Sequence, residues 1–174
     1  MSKENKELIP KTIKHIFIIS DRRERIETLR KIAKAVNSDK TMIFINTKYD
    51  LEESLQKLQY HNYNVAALAG NIDKQSKKKA VEDFQNGRLQ YLLATDVAAR
   101  GLQIDHVSTV INVNLPEEPT EYLHRAGRCG RNNEQGLCIS IITENELNKI
   151  KKYQKAFNIN IVQKRLYNGK IVSK

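Results

Sequence analysis

The chain has 174 residues, enough for one ordinary α/β domain and too few for two independent cores. Thirty Lys and Arg stand against twenty Asp and Glu, a formal charge of +10 that suits a polyanionic partner, nucleic acid or an anionic surface, without choosing between them. No stretch approaches the ~18 apolar residues of a membrane span, the opening Met-Ser-Lys-Glu-Asn-Lys-Glu has no signal-peptide core, and Cys129 and Cys138 lack metal or disulfide spacing. The expectation is a soluble, cytoplasmic, metal-free chain without membrane contact, resting on an apolar core.

Residues 1–11 are polar and basic and read as an N-terminal arm or interdomain linker. Ile13 to Ser20 (IKHIFIIS) predicts the first strand, and Asp21 can cap a helix whose Ile26, Leu29, Ala33 and Val36 draw one apolar stripe. Thr41 to Asn46 is a near-continuous apolar run, as for a strand buried on both faces, and Leu51, Leu55 and Leu58 mark the next helix. Val65 to Ala69 follows as a strand and Asp73 to Gln85 as a helix closed by Asn86-Gly87. Strands are predicted at Gln90 to Ala94, Val107 to Val113 and Leu137 to Ile142, helices from about Thr120 and over Glu144 to Phe157, and a weaker strand at Ile159 to Leu166. This alternation is the pattern of a mainly parallel sheet covered by helices, with the domain at 12–166 and a basic tail at 167–174.

Three clusters depart from what packing asks for. In YLHRAGRCGR, Tyr122 to Arg131, the arginines at 128 and 131 are three residues apart, about 300° of turn on a helix, so both can point to one place and grip a phosphate with planar, permanently charged forks. Gly127 and Gly130 would be odd in a purely structural helix but let a ligand approach; the plain alternative is a solvated basic face. In ATDVAARGLQID, Ala94 to Asp105, the residues Thr95, Asp96, Arg100 and Gly101 sit at the carboxyl end of a strand, where parallel sheets collect ligands; an Asp helix cap and a tight turn explain the same residues without one. In GNIDKQSKKK, Gly70 to Lys79, a glycine and a helix start can receive phosphate, although a lysine run is usually a solvated face. There is no GxxxxGK[ST] loop and no paired-carboxylate strand end to hold magnesium. Arginines without a P-loop are half of an active site.

The order of the segment at Asn46-Thr47, GNIDKQ, ATDVAARG and YLHRAGRCGR closely resembles the second RecA-like domain of DEAD-box ATP-dependent RNA helicases, over about residues 13 to 166. The resemblance implies a RecA-like three-layer αβα sandwich. It implies that Arg128 and Arg131 act as arginine fingers on ATP held, with Mg2+, mainly by an N-terminal RecA-like domain. His124 and Arg125 would couple this motif to that domain and to Asp96, beside the ATP-facing Arg100, Gly101 and Gln103. Asn46, Thr47, Gly70, Gln75, Lys78 and Thr95 would bind single-stranded RNA along its backbone. It also implies that this piece alone, a monomer, hydrolyses nothing. Two positions depart from the family: Gln103 stands where a ribose-binding aspartate is usual, and Lys78 where QxxR has an arginine. Two rival readings stay open, the motor half of a DNA translocase, against which His124 speaks, and a non-catalytic RNA-binding module, which leaves the double arginine unexplained.

The charge is unevenly placed. Residues 147–174 hold eight basic residues and no acidic one, whereas 1–146 carry a net charge of only +2. Truncation after about Glu146 is therefore expected to weaken the salt dependence of RNA binding.

Overall fold

Short runs buried at every position, such as Thr41 to Ile45 and Tyr91 to Ala94, need cover on both faces, and the chain supplies it by alternating strand and helix. A computed structural model describes residues 9–69 and 71–174. Its strands are β1 (Ile13–Ile19), β2 (Thr41–Phe44), β3 (Val65–Leu68), β4 (Tyr91–Ala94), β5 (Thr109–Asn112), β6 (Gly136–Ile142), β7 (Ile161–Tyr167) and β8 (Lys170–Ser173). Its helices are α1 (Arg25–Val36), α2 (Lys48–Tyr60), α3 (Lys74–Gln85), α4 (Asp96–Ala99), α5 (Pro119–Ala126) and α6 (Leu147–Phe157). The strands form one sheet in the order β3-β4-β2-β5-β6-β1-β7-β8, parallel throughout except for the last pair.

The period of two along each strand sorts the core into two layers. Ile43, Leu93, Ile111 and Ile139 face Leu29, Ile32, Leu51 and Leu58 of α1 and α2. On the other face, Met42, Leu92 and Val110 meet Phe84 of α3, Leu123 of α5 and Tyr153 of α6. Each such side chain, fully buried, contributes about 1.5–3 kcal/mol. The result is the expected three-layer αβα sandwich of the RecA-like class. Among the described residues, no helix is long and apolar enough to cross a membrane.

The differences from the sequence expectation lie at element ends. Asp21 makes no side-chain cap; a short 3-10 turn, Arg22–Glu24, intervenes before α1. The helix expected from Glu144 also opens as a 3-10 turn, closed by a capping box between Thr143 and Glu146. Both α1 and α6 end on an asparagine in the left-handed region, Asn37 and Asn158. The segment 167–174 is not a tail. Asn168 and Gly169, at φ 49° and 74°, make the tight turn that such a pair favours, and β8 folds back antiparallel on β7, from Lys164 opposite Ser173 to Tyr167 opposite Lys170. Eight residues of the expected arm, 1–8, lie outside the described residues.

One buried group ties fold stability to pH. His15 of β1 is 4% exposed; its Nδ1 lies 2.8 Å from Tyr122 Oη, while its Nε2 has no hydrogen-bond partner among the described residues. Burial pushes its pKa down to about 4, below the ~6.5 of an unfolded histidine. Between these two values the unfolded chain binds the extra proton, so stability is full above pH ~6.5 and drains away as pH falls toward 4. The expected loss is about 3 kcal/mol, read as a falling urea midpoint. In His15→Gln this portion of the slope should disappear; an unchanged slope would remove His15 as its source.

Candidate functional site

Parallel strands deliver their carboxyl ends to one edge, and there the chain places polar residues directly after apolar runs. β2 runs out into Asn46 and Thr47, the adjacent β4 into Thr95 and Asp96, and β5 into Asn112 to Asn114. Thr47 Oγ1 accepts the Asp50 N–H at 3.2 Å and caps α2; Thr95 Oγ1 accepts the Ala98 N–H at 3.3 Å and caps α4. The cap of α4 is therefore Thr95, and Asp96 is released for another partner.

That partner is Arg125. It projects from the last turn of α5 and is 1% exposed. Its Nε donates to Asp96 Oδ1 at 2.8 Å and its Nη2 to Asp96 Oδ2 at 2.6 Å, a forked ion pair. Nη2 also reaches Asn46 Oδ1 at 2.7 Å, and Nη1 reaches the Asn114 carbonyl at 2.8 Å and Asn112 Oδ1 at 3.3 Å. The guanidinium lies 5.2 Å from the centre of the Phe44 ring. A cation this deep is tolerable only when its donors are matched, and here one side chain fastens the ends of β2, β4 and β5 together. Asn46 is committed on both sides of its amide, since Nδ2 donates to the Leu115 carbonyl at 2.9 Å.

α5 stops at Ala126, with Gly127 as its C-cap. Arg128 and Arg131 therefore do not share a helix, contrary to the spacing argument, yet they still meet on one cleft. The bend is made at Gly130, at φ 69°, where an added Cβ would stand 2.5 Å from Ile13 Cγ1. Thr12 Oγ1 holds the turn by donating to the Gly130 carbonyl at 2.7 Å. Arg131 Nε donates to the Gly127 carbonyl at 2.7 Å, and among the described residues its Nη groups find no hydrogen-bond partner. Arg128 is differently occupied: Nη1 donates to the Leu102 carbonyl at 2.7 Å and Nη2 to the Ala99 carbonyl at 3.2 Å. Burial lowers its pKa, opposed by Asp105, and it remains a cation at neutral pH.

The cleft encloses about 590 Å³ and is lined by Arg128, Arg131, Arg100, Gly101, Gln103 and His124, with Asp96, Arg125 and Glu121 also on its wall. Gly101 turns the chain at φ 79°. Glu121 pairs with Arg100 at 3.5 Å and stands 3.7 Å from His124 Nδ1, so two exposed residues of the expected coupling set share one carboxylate. Gln103 is exposed, and its backbone carbonyl accepts from Gln85 Nε2 at 2.9 Å. The donors facing this space suit phosphate oxygens rather than a metal, because Asp96 and Glu121 are already paired; no cluster of metal-binding side chains occurs among the described residues.

Gln75 and Lys78 are exposed and three residues apart on α3, which puts them on one side of it. The start of α3 is occupied by a carboxylate: Asp73 Oδ1 accepts the Ser76 N–H at 2.8 Å, and that bond lowers the Asp73 pKa. Gly70 lies outside the described residues, although β3 delivers the chain to this edge beside β4. The sequence reading missed Phe44, Asn112, Asn114 and Glu121. Two asparagines alternating through an otherwise apolar strand, Val110 to Asn114, were the available signal. Cys129 and Cys138 are both buried, and burial pushes their thiols up, Cys138 to about 11, so neither is a thiolate near pH 7.

A mainly parallel αβα sheet whose carboxyl edge carries capped helix starts, a buried Arg–Asp clamp and two cleft arginines defines a RecA-like helicase domain. Comparison with known proteins agrees: the family described as helicase conserved C-terminal domain matches residues 24–133. The DEAD-box ATP-dependent RNA helicase CshC of Bacillus cereus is 34% identical over 160 residues, 92% of this chain and 41% of that protein. The structure of the C-terminal domain of the DEAD-box protein Dbp5 superposes with a TM-score of 0.83 at 29% identity, covering 88% of this chain and 91% of that one. S. cerevisiae Dbp5 bound to RNA and ADP BeF3 gives a TM-score of 0.85 at 28% identity, over 95% of this chain and 44% of that one. The chain belongs to the helicase conserved C-terminal domain family, and the relatives and structures it resembles here are DEAD-box RNA helicases and their C-terminal domains. It spans less than half the length of the curated relatives it matches.

Proposed function

We propose that this domain is the second half of an ATP-dependent RNA helicase. It presents Arg128 and Arg131 to the γ-phosphate of ATP held with Mg2+ mainly by an N-terminal RecA-like domain, and it forms half of a single-stranded RNA surface. The observation that carries this reading is the Arg125 clamp. It fixes the Asn46-Thr47 and Thr95 strand ends to the same rigid unit as the arginine cleft, so a change at the phosphate and a change at the RNA are felt by one body.

Arg131 is the readier finger, because both Nη groups are uncommitted among the described residues. Arg128 exchanges carbonyls of the 99–104 loop for phosphate oxygens, so its arrival frees that loop. Two guanidiniums at the transferring phosphoryl group offset charge that grows as the bond to the leaving oxygen lengthens. Gln103 offers a neutral amide to the ribose hydroxyls in place of a carboxylate. On the RNA side, Thr47 and Thr95 keep hydroxyl protons for phosphate oxygens while their lone pairs cap helices. Lys78 adds a point charge and Gln75 a polar contact from α3, alongside the segment at Gly70. Asn46 contributes through its position, since its side chain belongs to Arg125. These are backbone contacts that accept any sequence, and closing two such domains bends one strand away from its complement.

The domain, a monomer in the cytoplasm, is inert alone because it lacks a loop to cradle the triphosphate. An ATPase assay on this chain, with and without single-stranded RNA, should give no turnover above buffer; protein-dependent phosphate release would overturn the assignment of roles.

A further inference from the structure

The basic excess of residues 147–174 is not spread at random over the surface. β7 and β8 close the sheet on the side away from β3, and the alternation along them separates two faces. Leu166 and Ile171 turn toward the α1–α2 layer and pack there. The opposite face carries Arg165, Tyr167, Lys170, Val172 and Lys174, paired across the hairpin as Arg165 with Val172 and Tyr167 with Lys170. Tyr167 is 56% exposed, and the Arg165 guanidinium sits 5.1 Å from its ring centre. Lys174 Nζ reaches Gln163 Oε1 at 3.3 Å. Among the described residues, no cation of 147–174 forms an ion pair.

Lysines on an edge strand guard it against pairing with another chain, which accounts for Lys170 and Lys174. It does not account for a large aromatic ring left in solvent under an arginine. A sheet face with one exposed ring, a guanidinium beside it and ammonium groups outside any ion pair matches what a single nucleic-acid strand needs: a platform for a base and counter-charges for its phosphates. The tight Asn168-Gly169 turn holds the platform without help from a ligand.

We infer that this hairpin face is a second contact surface for single-stranded RNA, separate from the strand-end surface at Thr47 and Thr95, with Tyr167 stacking a base and Arg165, Lys170 and Lys174 binding phosphates. The inference rests on the RNA reading above and extends it: RNA held here stays attached while the strand-end surface opens and closes.

The test is binding of this chain to a fluorescein-labelled single-stranded oligouridylate, followed by anisotropy between about 50 and 200 mM salt. The triple variant R165Q/K170Q/K174Q removes three phosphate contacts and should reduce the slope of log K against log salt by about 2. Tyr167→Ala should weaken binding by about tenfold with little change of slope. All four positions are at the surface, and circular dichroism of each variant checks that the sheet is kept. A T47A/T95A variant should weaken binding yet preserve the dependence on Arg165, Lys170 and Lys174. If the triple variant keeps both affinity and slope while T47A/T95A loses affinity, the hairpin inference fails and the strand-end reading stands. If the hairpin variants lose affinity and T47A/T95A does not, the strand-end surface fails and the hairpin stands. Failure of the unaltered chain to bind the probe at the lowest salt, or tighter capture by anionic phospholipid vesicles than by RNA, overturns the hairpin surface.

Discussion

Arg125→Ala should cost the domain about 3–5 kcal/mol, a large share of the ~5–15 kcal/mol that separates a typical folded domain from its unfolded chain. The substitution removes more than an ion pair. It strips partners from Asp96, Asn46 and Asn112 at once and leaves a void over the Phe44 ring. Because the Asp96 side chain keeps 23% of its exposure, water can recover part of its loss, and the lower end of the range applies to a chain free to relax. Urea denaturation gives the value directly. Adding Asp96→Asn to the arginine variant should recover part of the deficit, because an uncompensated carboxylate no longer has to be folded away. A loss below about 1 kcal/mol would mean that the three strand ends are held by packing alone.

On the role proposed above, Arg128→Ala in the full-length protein should lower kcat for RNA-stimulated ATP hydrolysis by about 10³–10⁵, with single-stranded RNA affinity largely intact and unwinding abolished. Arg128→Lys sharpens the reading. A lysine keeps the charge but loses the fork, so it should recover little of the rate, whereas full recovery would reduce the role to bulk charge. Since Arg128 also ties down the carbonyls of Ala99 and Leu102, the variant's denaturation midpoint belongs beside its kinetics. Normal hydrolysis combined with lost RNA binding would contradict the finger role.

The apolar alternation made most of this architecture readable from sequence, because a strand covered on both faces must be apolar throughout and a covering helix must carry one stripe. Thr95 and Asp96 could be placed at a strand's carboxyl end for the same reason. What Asp96 does there could not be read, since its partner Arg125 is 29 residues away and meets it only after β5 and α5 are in place. Arg128 and Arg131 line one cleft, but not through a shared helix. A helix of uniform pitch was the simplest way to bring them together, and the chain uses a left-handed glycine pressed against Ile13 instead. The last strand was legible too: Asn-Gly between KRLY and KIVS is a strong local hairpin signal, set within a run of positive charge that reads equally as a solvated tail.

The strand order bears on how the chain comes to be folded at all. β1 lies between β6 and β7, with His15 opposite both Cys138 and Ile161, so the first strand of this sheet to be made has its two neighbours among the last of it. On a ribosome, Phe17 and Ile18 would wait on the order of 10 s for Gly136–Ile142 to emerge, exposed meanwhile to whatever else binds apolar segments. β2 to β5 can assemble among themselves during that interval. Nascent chains stalled before β6 should accordingly be found with a partly built sheet and an unpartnered first strand, the state most prone to aggregate or to engage a chaperone.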